Sequence, residues 1–134
     1  LPILVLGDEQ DLYTDEQRDL VIEILEQAFR NSIAGSRKYD VLKSILKANP
    51  EIGVRRSLKA KLASWFHSLR GWNSASTEQK KEFLDMGFNL ISKKNHVKFV
   101  FKGDNRYPIV LACTPTDITR NSMNSLSDIV KKIF

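Results

Sequence analysis

The sequence predicts an α+β protein, with a helical subdomain at residues 1–71 and an αβββα unit at residues 72–134 that carries a three-stranded antiparallel sheet. Three observations point there. Apolar residues recur at helical spacing in three stretches up to Leu69. From His96 to Lys102 the period changes to two, with Val97, Phe99 and Phe101 alternating against His96, Lys98 and Lys102. Between these patterns, Gly71 to Ala75 breaks the composition and marks the expected subdomain boundary.

Leu1 to Leu6 reads as a short strand or the end of a linker, and Gly7 to Asp11 as an acidic turn. Thr14-Asp15-Glu16-Gln17 has the form of a capping box, in which Thr14 and Gln17 satisfy two backbone donors. The helix behind it places Leu20, Val21, Ile24, Leu25, Ala28 and Phe29 on one face and Asp19, Glu23, Glu26 and Arg30 away from it. Gly35 breaks the chain before a second helix, Lys38 to Ala48, which Asn49-Pro50 ends. A third helix runs from Arg55 to Leu69 with Leu58, Leu62, Trp65, Phe66 and Leu69 as its stripe. Trp72 lies in the linker and is expected to pack on the core.

In the second unit, Ser76 or Thr77 caps a helix that has Glu78 in its first turn, Phe83 and Met86 on its apolar side, and Gly87 at its C-cap. Phe88, Leu90 and Ser92 alternate with Asn89, Ile91 and Lys93, and Lys94-Asn95 makes the turn. The strand His96 to Lys102 follows, then a turn at Gly103-Asp104-Asn105. The third strand is Arg106 to Cys113, and Pro108, which cannot donate to a ladder, restricts it to an edge or a strand start. A last helix begins near Asn121 or Ser122, with Met123, Leu126, Ile129, Val130 and Ile133 on one face.

The 134 residues are 42% hydrophobic and 28% charged, the balance of an ordinary globular chain. No apolar run reaches the ~20 residues that span a bilayer. Leu1 to Leu6 lacks the basic flank and cleavage signature of a signal peptide, and the absence of an initiator Met predicts a piece of a longer protein. Cys113 is the one cysteine, so no internal disulfide forms and a cytoplasmic setting is the default expectation. With two histidines and that cysteine there is no zinc-ligand cluster. No P-loop, dinucleotide fingerprint or Ser-His-Asp spacing occurs, and no cofactor is expected.

Charge is segregated along the chain. Residues 1–51 hold 10 acidic and 6 basic groups, and residues 52–134 hold 15 basic and 6 acidic, with no acid between Ile52 and Thr77. Such an imbalance predicts a polyanion partner for the second half. The candidate phosphate contacts are Lys93, Lys94, Lys98, Lys102 and Arg106 on the hairpins, and Arg55, Arg56 and Lys59, with Lys61 and Arg70, on the third helix. The helices on either side of Pro50 and Gly53 also allow a helix-turn-helix reading, although their loop is long for that motif. His96 is the candidate catalytic group, because an imidazole titrates near neutrality and can take or give the 2′-hydroxyl proton of RNA. Asp117 is its candidate orienting partner or, equally, a cap before the last helix. His67 reads as a solvent-facing helix residue, and Phe99 and Phe101 as core rather than base-stacking platforms.

The αβββα order, Gly87-Phe88 after the first helix, His96 opening the second strand, Thr114-Pro115 after the third, and Leu126 with Ile129 in the closing helix resemble the HicA family. Those are small RNA-cleaving toxins with a double-stranded-RNA-binding-domain-like fold and a catalytic histidine on the sheet. The resemblance covers residues 77–134. Where the family has Gly-Ser before the histidine this chain has Lys94-Asn95, and its Pro-His region reads Thr114-Pro115-Thr116-Asp117. The resemblance implies RNA over DNA as partner, and His96 as the residue that carries over. The leading expectation is a nucleic-acid-binding module. The alternatives are a HicA-like ribonuclease, and a protein-interaction domain that meets a partner chain, or a neighbouring domain of its own parent, through the acidic first helix or a sheet edge.

Overall fold

The computed structural model describes residues 2–68, 71–113 and 118–134, with the side chains of 118–123 not described. Leu69, Arg70, Thr114-Pro115-Thr116-Asp117 and the Met123 side chain therefore lie outside the described residues. The elements are α1 (Glu16–Arg30), α2 (Arg37–Ala48), α3 (Val54–Ser68), a short 3-10 turn (Trp72–Ser74), α4 (Thr77–Asp85), β1 (Phe88–Lys93), β2 (His96–Phe101), β3 (Asp104–Ala112) and α5 (Ile118–Ile133). The fold is thus α+β, with N-terminal helices ahead of an αβββα unit. The strands form one antiparallel sheet in the order β1-β2-β3.

Two compact units divide inside α3, at Leu1–Arg55 and Arg56–Phe134. The expected boundary lay later, at 71/72. Most of α3 groups with the sheet because its stripe is aromatic and meets aromatic residues there. Trp65 stacks on Phe83 at 4.5 Å, Phe83 on Phe88 at 4.3 Å, and Phe99 lies edge-on to Phe83 at 4.9 Å and to Trp72 at 5.0 Å. Around these rings Phe66, Val97, Phe101, Ile109, Leu111 and Ile129 are buried, so β2 shows one apolar face to the core as its alternation required. Trp72 is buried as its isolation in the linker implied, and its neighbour Trp65 donates from Nε1 to the Gln79 carbonyl at 2.7 Å.

Unit one is built on α1 and α2, joined where Phe29 meets Tyr39 with ring centroids 4.7 Å apart. Here the sequence reading needs two corrections. Asp19, placed on the solvent side of α1, is fully buried, and Leu20 and Ile24, placed on its core side, are exposed. The cause is polar. The N–H groups of Ile52 and Gly53, just ahead of α3, donate to the two Asp19 carboxylate oxygens at 3.1 Å each. These two donors give the buried Asp19 carboxylate the partners without which its burial would be costly. The second correction concerns the start of α1. No capping box forms at Thr14; Asp15 is the N-cap, in left-handed conformation (φ 59°), and makes no side-chain cap bond. Asp11 takes that part, its Oδ1 accepting from the Gln17 backbone N–H at 3.0 Å.

On α4 the N-cap is Ser76, one of the two residues that the sequence offers for that place. Ser76 and Gln79 form a reciprocal capping box on α4, Gln79 N–H donating to the Ser76 hydroxyl and Ser76 N–H to Gln79 Oε1. α5 starts at Ile118, ahead of the expected Asn121 or Ser122. No helix among the described residues is long and apolar enough to cross a membrane.

Candidate functional site

The outer side of the sheet is set by β2, whose His96 and Lys98 are exposed while Val97 and Phe99 face the core. Residues directly opposite in an antiparallel ladder share a face. Lys98 pairs with Ser92 on one side and Val110 on the other, and His96 pairs with Ala112. The exposed patch therefore consists of His96, Lys98, Ser92 and the half-exposed Val110, with Lys94 beside it in the β1–β2 turn. Backbone bonds pin that turn: Lys94 N–H donates to the His96 carbonyl at 3.0 Å. Cys113 Sγ lies 3.8 Å from the Lys94 carbonyl oxygen.

Lys93 is not on this face. The ladder slips between Leu90 and Ser92, leaving Ile91 as an extra residue in β1. Before the slip Leu90 shares a face with Phe99; after it Ser92 shares a face with Lys98, and Lys93 with Val97. A one-residue slip inverts every side chain beyond it. Lys93 thus sits on the reverse side, exposed only at the sheet margin.

Lys102 and Arg106 are displaced for different reasons. The β2–β3 turn is Lys102-Gly103, with φ of 51° and 75°, the two positive values of a type I′ hairpin. Lys102 thereby leaves the strand, six residues and roughly 20 Å from His96 at the rise of a strand. Asp104 and Asn105, expected in the turn, belong to β3. A second irregularity follows, where the single residue Val100 stands opposite Asn105–Pro108. Pro108, which brings no N–H to the ladder, lies at the end of this irregular stretch. Val100, which by strict alternation shares the face of His96 and Lys98, is buried. Arg106 lies in this bulge and grips its neighbour Asp104, Nη2 to Oδ2 at 2.7 Å and Nε to Oδ1 at 3.0 Å. Hydrogen bonds from the Arg106 side chain and N–H hold the Asp104 carboxyl below the usual carboxylate range. Its charge is answered within the chain, so Arg106 is a poor phosphate ligand.

On α3 the three proposed contacts separate. Arg55 is 3% exposed, and its Nε donates to Glu23 Oε2 at 2.7 Å. Burial works against its charge, but hydrogen bonds to Glu23 and Tyr13 outweigh that and raise its pKa. Burial likewise pushes the Tyr13 hydroxyl up, with the bond to Arg55 opposing. Arg55 is therefore a structural cation, and a helix-turn-helix reading that needs it at the recognition surface fails. Arg56 is exposed and Lys59 half-buried in unit two, one helical turn apart. Lys61 lines a cleft of about 450 Å³ with Glu82 and Asp85, whose carboxylates suit it poorly for an anion.

His96 meets Ala112, and the nearby outer-face positions are Ser92, Lys98 and Val110, none a carboxylate. His67 is exposed on α3. Phe99 and Phe101 are wholly in the core and unavailable for stacking on bases. Among the described residues no group of three or more His, Cys, Asp or Glu side chains is placed to hold a metal ion. The buried Asp19 and the Glu23–Arg55 pair are what sequence reasoning missed, since a polar residue near an apolar stripe gives no sign of a partner 33 positions away. No family model, curated protein or solved structure matches the chain.

Proposed function

We propose that the sheet unit is a nucleic-acid-binding module, with RNA as the preferred polyanion, and that Lys94, Lys98 and His96 contact the phosphates. The observation that carries this reading is charge with its placement. Residues 56–134 hold 14 basic and 6 acidic side chains, while Leu1–Arg55 hold 7 basic and 10 acidic. Lys98 and His96 are exposed on the outer face with no carboxylate opposite them in register. Arg56, on α3, is a further exposed cation of the same unit. The preference for RNA rests on the likeness of residues 77–134 to HicA proteins. With the aromatic rings in the core, recognition proceeds through backbone phosphates and shape rather than base stacking. The test is a titration with double- and single-stranded RNA and DNA at low salt and at increasing salt. A complex that dissociates steeply with salt is expected; no complex with any of the four would end the proposal.

A second reading, RNA cleavage, draws on the exposure of His96 beside Lys98. In it the imidazole would take the 2′-hydroxyl proton while Lys98 steadies the phosphate. RNA incubated with wild type and with His96→Ala decides it: equal integrity in the two samples removes the enzyme.

A further inference from the structure

The α1–α2 unit is unfinished as a helical layer. Leu20 is 37% and Ile24 56% exposed along one side of α1, and α2 has no fully buried residue. Beside them lies a groove of about 800 Å³, lined by Leu20, Leu25, Ile45 and Leu46 together with residues 3–6, which are themselves exposed. An antiparallel helix pair with an open apolar seam is the surface on which a third helix packs. The groove is acidic. Asp11 and Asp15 line it, and Arg18, the one cation lining it among the described residues, is held 3.3 Å from Asp19. We infer that this groove receives an amphipathic helix of a partner protein, one whose apolar stripe is flanked by Lys or Arg.

Charge selects that occupant. A second copy of the chain docking by the same face would bring two units of net charge −3 together, from 10 acidic and 7 basic residues in each. Like charge across an interface opposes association, whereas a cationic helix is drawn in and oriented by the acidic lining. This surface is separate from the basic sheet patch, so its failure and that of the nucleic-acid reading are distinguishable.

The test uses the full chain and two synthetic amphipathic peptides with the same leucine spacing, one with lysine on the polar face and one with glutamate. Binding is followed by amide NMR shifts. The lysine peptide is expected to bind and to shift resonances within residues 2–55, and the glutamate peptide is expected not to bind. Asp11→Asn with Asp15→Asn keeps the amide oxygen that Gln17 uses and a residue that tolerates the left-handed backbone at position 15. It should weaken the lysine peptide about tenfold, the effect of removing two charges from the lining. Leu20→Gln, in the exposed lining, should weaken it as well. Equal binding of both peptides, binding of neither, shifts confined to residues 56–134, or a dimer formed through this face would each overturn the inference.

Discussion

Asp19 shows how one carboxylate decides which side of a helix faces inward. It satisfies two N–H groups ahead of α3 and has no exposed surface. Asp19→Ala removes a buried carboxylate that accepts from two partly exposed N–H groups and should cost about 1–3 kcal/mol, two hydrogen bonds at roughly 0.5–1.5 kcal/mol each, since water can reach the donors it leaves. Urea unfolding measures the loss, and hydrogen exchange at the Ile52 and Gly53 amides should accelerate with it. Arg106 and Asp104 offer a second test at this scale. The depressed Asp104 pKa means that their interaction is present above the ordinary carboxylate range and fades as pH falls through the folded-state value. In a carboxyl NMR titration, Arg106→Gln should return Asp104 upward toward its ordinary value; an unmoved titration would show that the arginine is not the cause. The long-range pairings, Asp19 with the N–H groups of Ile52 and Gly53 and Arg55 with Glu23, were not legible in the sequence. Arg55 sits among Arg56, Lys59 and Lys61 in an acid-free stretch and looks like part of a solvated face, because its partner Glu23 is 32 positions away.

At the level of elements, local chemistry was readable in part: the capping box read at Thr14 does not form and the β2–β3 turn falls at Lys102-Gly103, but other local signals hold. Ser76 as the cap of α4, Gly87 after it and the two-residue period of β2 all stand in the sequence as they do in the fold, whereas the part of Gln79 in the cap was not read there. Ladder slips were not legible: Pro108 pointed to an edge strand, which β3 is, but not to a shift of register, and nothing in the run from Phe88 to Lys93 marks Ile91 as the extra residue. Two substitutions probe these joints. Gly87 has φ of 117° and its carbonyl accepts from Lys102 N–H at 2.7 Å; a Cβ there would lie 3.0 Å from the Phe101 ring and closer still to the Lys102 side chain. Gly87→Ala should therefore destabilise by about 2–3 kcal/mol, from backbone strain plus crowding. Lys102 has the opposite fault, a lysine in the left-handed region where Asn is the favoured hairpin residue. Lys102→Asn should raise the urea midpoint by the equivalent of about 0.5–1 kcal/mol; a lower midpoint would mean that the lysine stem on Gly87 matters more than the turn.

Over the whole molecule, the segregation of charge survives folding but the imagined continuous basic face does not. Of the five hairpin cations, Lys94 and Lys98 stand with His96, Lys93 lies behind the sheet, and Lys102 and Arg106 lie at the far turn and the bulge. The fold class was legible because it depends on periodicity and composition breaks. The site was legible only in outline, because the faces of strands depend on register. That distinction yields the most direct test of the nucleic-acid proposal, a comparison of how RNA affinity varies with salt in wild type, Lys94→Ala with Lys98→Ala, and Lys93→Ala. Each lost phosphate contact removes roughly 0.7–0.9 from the slope of log affinity against log salt, so the double substitution should flatten it by about 1.5 while Lys93→Ala leaves it unchanged. Equal slopes in all three proteins would contradict the account.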